Sequence, residues 1–482
     1  MKESIVMHPT SSSHHMISML ELSNLILKHH PNYSIIILLP STSTTPSNTT
    51  TTTINPSISF HFLPPLASST TQETAFQSIT LNFNNVPHAL KTISLTFKIL
   101  CFITSSTGFH KTNVNNNTFP TYTYFSSCAS TLAAILHLPI LHHQTTLSFK
   151  DFPHNSLLNI PGLPPIKPSF MPQPLLDRHQ PAYDFFFDFT ASLLCSDGII
   201  VNTFDSLEPQ AIKAIVNGDC VGRDAVTPPL YCIGPLVVDS KDRDGHVDHD
   251  HVSSSSCLTW LDAQPSRSVV LLCFGSKSAG SFSSQQLKEI ATGLERSNER
   301  FLWVVKNPPN SNTEVELESI LTEGFLERNK EKGMVVKSWA AQADILRHDS
   351  VGGFVTHCGW NSVVEGVSNG VPMIAWPLYA EQLMNSVVLV EEMKVAIPMT
   401  NRLGEEDLLV TAEEVEKKLR ELMGVEGNGL RETCLKMREM GMAAWDYNGG
   451  GSSFTAFSNF VASWNNHSST KVTSAENSTV SA

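Results

Sequence analysis

The chain has 482 residues, 41% hydrophobic and 16% charged, with 32 Lys+Arg against 45 Asp+Glu for a net charge of −13 and a mean hydropathy of −0.05. That length predicts two or three domains, and the balanced hydropathy a soluble globular protein. The acidic balance excludes nucleic acid as a general partner, and no apolar run reaches the ~18–20 residues of a membrane-spanning helix. The opening MKESIVMHP lacks the basic and apolar regions of a secretion signal, so a cytoplasmic location is expected. The nine cysteines are scattered without C-x-x-C spacing, which predicts free thiols in a reducing compartment.

In chain order, IVMHP (5–9) reads as a strand, TSSS (10–13) as a polar loop, and a helix begins near His15. Met16, Met19, Leu20, Leu22, Ile26 and Leu27 give that helix a broad apolar face. SIIILL (34–39) is continuous enough for a strand buried on both faces of a parallel sheet. Residues 41–57 are low-complexity and read as a surface loop. PTYTYFS (120–126) reads as another strand, and the proline-rich 160–174 as an extended surface segment. Residues 241–256 lack periodicity and read as a linker, and the DGHVDHDH within this region has a composition typical of solvated linkers.

Beyond it, SVVLLCFGS (268–276) is a strand ending at Gly275-Ser276, and a helix over 283–297 turns Leu287, Ile290, Ala291 and Leu294 inward. Strands follow at 300–305, 333–339, 352–357 and 371–377, alternating with helices. Such alternation predicts a parallel, doubly wound α/β sheet with ligands at the carboxyl ends of its strands. Ser276, Trp339, His357 and the 378–382 loop all fall at such ends. Helices are expected over 412–423, with Thr411 as N-cap, and over 430–444. NGGGSS (448–453) breaks the chain before a helix at 454–464, and the polar 465–482 reads as a disordered tail.

The segment 339–382, WAAQADILRHDSVGGFVTHCGWNSVVEGVSNGVPMIAWPLYAEQ, carries the densest chemistry. GGFVTH stops at His357, Cys358-Gly359-Trp360 makes a turn, and Asn361-Ser362 stands where a helix begins. Unpaired N–H groups, an imidazole, an amide and a hydroxyl gathered there suit a phosphate. The order W-x-x-Q, HCGWNS-x-x-E, [DE]-Q resembles the donor-binding signature box of plant UDP-sugar glycosyltransferases, with Ala341 where the family usually has Pro.

The resemblance implies a GT-B fold: two Rossmann-like α/β domains facing across a cleft. Residues 1–240 would bind the acceptor, with the helix at 454–464 packing back on them, and 257–453 would bind the UDP-sugar. It implies that Trp339 stacks on uracil while Ala340 offers backbone hydrogen bonds. Gln342 and Glu365 would hold the ribose hydroxyls, and His357, Asn361, Ser362 and Ser276 the diphosphate. Trp360, Glu381 and Gln382 would meet the hexose. A terminal Gln resembles glucose users, and Trp in place of Arg at 360 argues against glucuronate. UDP-glucose is the expected co-substrate, with no cofactor and no metal, because a helix N-terminus, a histidine and hydroxyls can meet the leaving-group charge.

In the first half, IVMHPTSSSHHMISMLEL resembles the family segment that carries the catalytic base, which would be His15; His14 replaces the usual Gly. The family's orienting aspartate, expected near 99–104, is missing, since no Asp or Glu occurs from 74 to 150. Thr104, Ser105 and Cys101 are the candidate partners, with His110 a further one. Ser126 falls where the family often places a hydroxyl near the sugar phosphate or O6. MLELSNLIL, IPGLPPI and GIIVNTFDSLEP look most like flavonoid and isoflavonoid 7-O-glucosyltransferases. The expected function is inverting glucose transfer to a phenolic small molecule by a monomer. The rivals are a C-glycosyltransferase acting on a polyphenol and a catalytically impaired UDP-sugar-binding protein.

Overall fold

Runs of Ile, Val, Leu and Phe, too continuous for a sheet wetted on one face, build two parallel sheets. The computed structural model describes residues 1–10, 13–40, 55–64, 83–105, 119–237, 251–275, 281–308, 316–399 and 409–477. The first sheet comprises β1 (Lys2–His8), β2 (Ser34–Pro40), β3 (Ile58–Leu63), β4 (Phe97–Thr104), β5 (Thr121–Phe125), β6 (Gly198–Val201) and β7 (Leu230–Cys232), in the order β3-β2-β1-β4-β5-β6-β7. The second comprises β8 (Val269–Cys273), β9 (Arg300–Val305), β10 (Gly333–Lys337), β11 (Val351–Thr356), β12 (Met373–Ala375) and β13 (Ala396–Pro398), in the order β10-β9-β8-β11-β12-β13. Both orders reverse direction once, beside β1 in the first and beside β8 in the second. A crevice opens at each switch point, outside the carboxyl ends of the strands.

The helices used below are α1 (Ser13–His29), α2 (Ala129–Gln144), α3 (Pro181–Leu194), α4 (Pro209–Val216), α5 (His251–Asp262), α6 (Ser284–Ser297), α7 (Gln342–Arg347), α8 (Trp360–Ser368), α9 (Gln382–Val387) and α10 (Ser452–Asn477). Local chemistry sets their ends. The Ser283 side chain accepts from Gln286 N at the start of α6, and Thr411 caps the 412–423 helix by accepting from Glu414 N. Phe457, Phe460 and Trp464 of α10 join the core of the first sheet with Tyr122 and Tyr231, so the chain returns to the half where it began.

Three stretches differ from the sequence expectation. The proline-rich 160–174 is not a surface strap: Ile160, Ile166, Met171 and Leu175 are buried in the core against α2 and α3. Its apolar residues alternate with prolines, and short turns at Pro168–Phe170 and Gln173–Leu175 fold them inward. Helix α5 starts at His251, inside the expected linker, while 238–250 lie outside the described residues. Helix α10 continues to Asn477; residues 465–477 contain neither Pro nor Gly, so nothing interrupts the backbone ladder.

The two halves also meet away from the crevice. Glu392, at the end of a π-turn over Val388–Glu392, has its carboxylate oxygens out of water. Burial, reinforced by the nearby Glu208 carboxylate, pushes its carboxyl up to about 7. A raised folded-state value favours the protonated form, so stability present at acid pH is lost as pH rises through about 7. Glu392→Gln, which keeps the shape without the charge, should therefore melt above the parent at about pH 8 and with it at about pH 4.5. Identical melting curves at the higher pH would contradict this.

Candidate functional site between the two sheets

A cavity of about 400 Å³ opens between the carboxyl ends of the two sheets, with His15 and Ser126 on one wall and Trp339, His357 and Glu365 on the other. On the first wall, His8 and Thr104 end β1 and β4 as register partners. Thr104 Oγ1 donates to the His8 carbonyl oxygen at 3.2 Å and lies 3.4 Å from His8 Nδ1. Burial holds the His8 imidazole neutral, its pKa lowered to about 4. One residue further, Ser105 Oγ accepts from Thr10 N at 3.0 Å and stands 3.3 Å from His15 Nδ1. Ser126 Oγ, just past β5, stands 3.2 Å from the same nitrogen. Of the three candidate partners, then, the structure brings Ser105 to His15. Thr104 serves the β1 end, and Cys101 is wholly buried in the core, where desolvation pushes its thiol well up. Ser126, expected beside the sugar, also reaches the histidine. The His14 side chain and all of His110 lie outside the described residues.

The second wall is built around His357. It follows β11 and is 5% exposed. Gly275, with φ of +80°, and Gly359 flank its ring: a Cβ on Gly275 would fall 2.6 Å from His357 Nε2, and one on Gly359 would also overlap that atom. Both glycines are therefore required by the close approach of the backbone to the imidazole. Gly359 caps α8 without a side-chain acceptor, so the N–H groups of the first turn point into the cavity without a cap. Ser276 lies outside the described residues.

Gln342 Nε2 donates to Ser362 Oγ at 2.9 Å and to Glu365 Oε2 at 2.8 Å, fixing α7 against α8. Ala340, buried, accepts from Gln342 N through its carbonyl. Trp339 lines the cavity and is 37% exposed, so indole surface is left for a ligand. Trp360 differs from expectation: its indole N–H donates to the Asn202 carbonyl in the other half at 2.8 Å, so that donor is not available to a sugar. Asn361 Nδ2 likewise crosses, donating to Ser18 Oγ at 3.2 Å. Gln382 Oε1 accepts from Leu378 N and Tyr379 N, both at 2.9 Å, and so shapes the 378–382 loop as well as facing the cavity. Glu381 Oε1 accepts from Ser127 Oγ at 3.0 Å.

Comparison with known proteins gives the family. Residues 235–421 match the family model described as UDP-glucoronosyl and UDP-glucosyl transferase. UDP-glycosyltransferase 88F4 of Malus domestica is 44% identical, over 96% of this chain and 100% of its own length. The chain belongs to the UDP-glycosyltransferase family. Phloretin 2'-O-glucosyltransferase of Pyrus communis is similarly 44% identical over 96% of this chain and 100% of its own. Among solved structures, Phytolacca americana UGT2 complexed with UDP-2fluoro-glucose and pterostilbene superposes with a TM-score of 0.82 at 33% identity, covering 96% of this chain and 100% of that one. The fold is the two-domain GT-B arrangement, and the protein is a glycosyltransferase that uses a UDP-sugar donor.

Sequence reasoning singled out none of Ser18, Ser127 and Glu208. Ser18 and Ser127 carry contacts between the halves, and neither hydroxyl is marked by spacing alone. Glu208 is wholly buried, and its carboxylate accepts from Ala129 N and Ser130 N at 2.9 Å and from Ser130 Oγ at 2.8 Å, capping α2. Its available signal was an acid, with Asp205 three residues before it, inside the otherwise largely apolar GIIVNTFDSLEP. Phe185, Phe186 and Phe189 of α3 line the cavity, whereas Leu193 is core. No helix among the described residues is long and apolar enough to cross a membrane.

Proposed function

We propose that the enzyme transfers glucose from UDP-glucose to a phenolic hydroxyl of a small aromatic acceptor, with inversion, and that His15 takes the proton. The observation that carries this reading is the position of His15: its Nδ1 rests on two serine hydroxyls, in one cavity with His357 and the N-terminus of α8. With Nδ1 engaged, the other ring nitrogen serves the acceptor. An unperturbed phenol, with a pKa of ~10, is within reach of an imidazole base of ~6.5. As the acceptor oxygen bonds to the anomeric carbon, its proton passes to His15 and the carbon–phosphate oxygen bond breaks on the opposite face. The charge left on the diphosphate falls to the N–H groups of α8 and to His357, with Asn361 and Ser362 beside them.

Uracil lies on Trp339 with Ala340 at its edge, the ribose hydroxyls go to Gln342 and Glu365, and the hexose to Glu381 and Gln382, with Trp360 contributing ring edge and backbone. Phe125, Phe185, Phe186 and Phe189 provide an aromatic wall for the acceptor. The names of the phloretin glucosyltransferases and the pterostilbene complex support a phenolic acceptor. The test is turnover with UDP-glucose, UDP-galactose and UDP-glucuronate over a phenol panel, with and without EDTA. UDP-glucose should win by ~1–3 kcal/mol in kcat/KM, as for a site whose hydrogen bonds go unpaired with the wrong hydroxyl. EDTA should change nothing, and the products should be acid-labile O-glucosides. Equal rates with UDP-glucuronate would remove the sugar assignment, and acid-stable products would turn the reading to C-glycosylation.

A further inference from the structure

The loop carrying Glu381 belongs to the second half by sequence but is bonded to the first. Gln173 N donates to the Ala380 carbonyl oxygen at 3.0 Å, and Ser127 Oγ donates to Glu381 Oε1 at 3.0 Å. Thr131 Oγ1 donates to Asn385 Oδ1 at 3.1 Å, while Asn385 Nδ2 donates back to the Cys358 carbonyl at 2.9 Å. Ala380 is held at φ of +57°, a conformation that non-glycine residues adopt only when their surroundings impose it. The bonds from Gln173 and to Gln382 Oε1 supply that constraint.

We infer that Ser127 is a positioning residue for donor-sugar recognition: its hydroxyl fixes the Glu381 carboxylate so that the other oxygen meets a hexose hydroxyl. The inference rests on the proposed role of Glu381 at the sugar. A glutamate side chain has three rotatable bonds, and Glu381 is only partly buried at the start of α9. Without an anchor it has rotamers that leave the cavity. A serine hydroxyl on one carboxylate oxygen is a charge-assisted bond, stronger than a neutral one, and it selects the rotamer facing the cleft. Sugars that differ in one hydroxyl are told apart only if the acceptor atom is held to within about 0.5 Å. Donor-sugar preference would therefore depend on a residue of the acceptor-binding half, past the end of β5 and next to the serine that touches His15.

The experiment is a double-mutant cycle with UDP-glucose and UDP-galactose as donors and UDP as a competitive inhibitor. Ser127→Ala should lower kcat/KM for UDP-glucose about tenfold and narrow its preference over UDP-galactose by a similar factor. Inhibition by UDP, which lacks the hexose, should stay within about twofold. Ser127→Thr, which keeps the hydroxyl, should restore the preference. Ser127→Ala combined with Glu381→Ala should lose no more than Glu381→Ala alone. Additive losses, or a Ser127→Ala enzyme with unchanged sugar preference, would overturn the inference. If Glu381→Ala itself leaves the sugar preference intact, the role of Glu381 is wrong instead. Ser127→Cys, close in volume but a weak donor, carries the same measurement if the alanine variant does not fold.

Discussion

His15→Ala should lower kcat/KM for a phenol of ordinary acidity by about a hundredfold to ten-thousandfold, the range for loss of a general base. The loss should shrink as the acceptor becomes more acidic, because a phenol already ionised at the assay pH needs no base. The unusual feature is what holds the histidine. A carboxylate can only accept, so it forces the proton onto Nδ1, leaves Nε2 as the base, and offsets the charge of the imidazolium. Ser105 and Ser126 can donate or accept, so they orient the ring without selecting that tautomer and without offsetting its charge. Steep dependence on acceptor pKa follows, with aliphatic alcohols hardly reacting. Ser105→Asp should restore both functions: rates on weakly acidic phenols should rise, and the acid limb of the pH–rate profile should move to higher pH. The Thr10 N–H that Ser105 accepts would remain satisfied by a carboxylate. Full activity of His15→Ala on a phenol of pKa near ~10 would place the base elsewhere, and an unmoved acid limb in Ser105→Asp would remove Ser105 as its partner.

Most of the fold was legible because its strands are fully buried and so read as unbroken apolar runs. SIIILLP, which follows a helical segment, and VVLLC, which precedes one, read as buried parallel strands. The donor wall was legible for a different reason: apart from Gly275 and Ser276, the residues named on it lie within one stretch of 44, so their order survives as a pattern. The acceptor wall comes from segments far apart. Which residue past β4 would meet His15 depended on where the strand ends, and a shift of one residue separates Thr104 on His8 from Ser105 on His15. Trp360 was legible as a site residue but its partner was not, since Asn202 lies 158 positions away in the other half. The proline-rich 160–174 misled because proline content signals extension, whereas the isoleucines between the prolines decide its burial. The position of attack was not legible: the quoted motifs look like 7-O enzymes, while a relative 44% identical is named for 2'-O transfer.

Glu365→Ala should raise the dissociation constant of UDP by about ten- to a hundredfold, measured by calorimetry, and abolish most of the thermal stabilisation that UDP gives. Glu365 is 8% exposed on α8, one turn beyond Ser362, and its Oε2 accepts from Gln342. An ionised carboxylate offers about four acceptor sites, enough to take the Gln342 amide and two ribose hydroxyls together. Those bonds are charge-assisted and out of bulk water, which places them at the strong end for hydrogen bonds. The free enzyme should lose little stability, because Gln342 keeps its bond to Ser362. Glu365→Gln should be intermediate: the amide retains one acceptor oxygen but sets a donor against the Gln342 amide. An effect on UDP binding with an unchanged melting temperature separates a ligand contact from a packing defect. Unchanged UDP affinity in Glu365→Ala would show that the ribose lies elsewhere, and with it the orientation of the donor along the cleft.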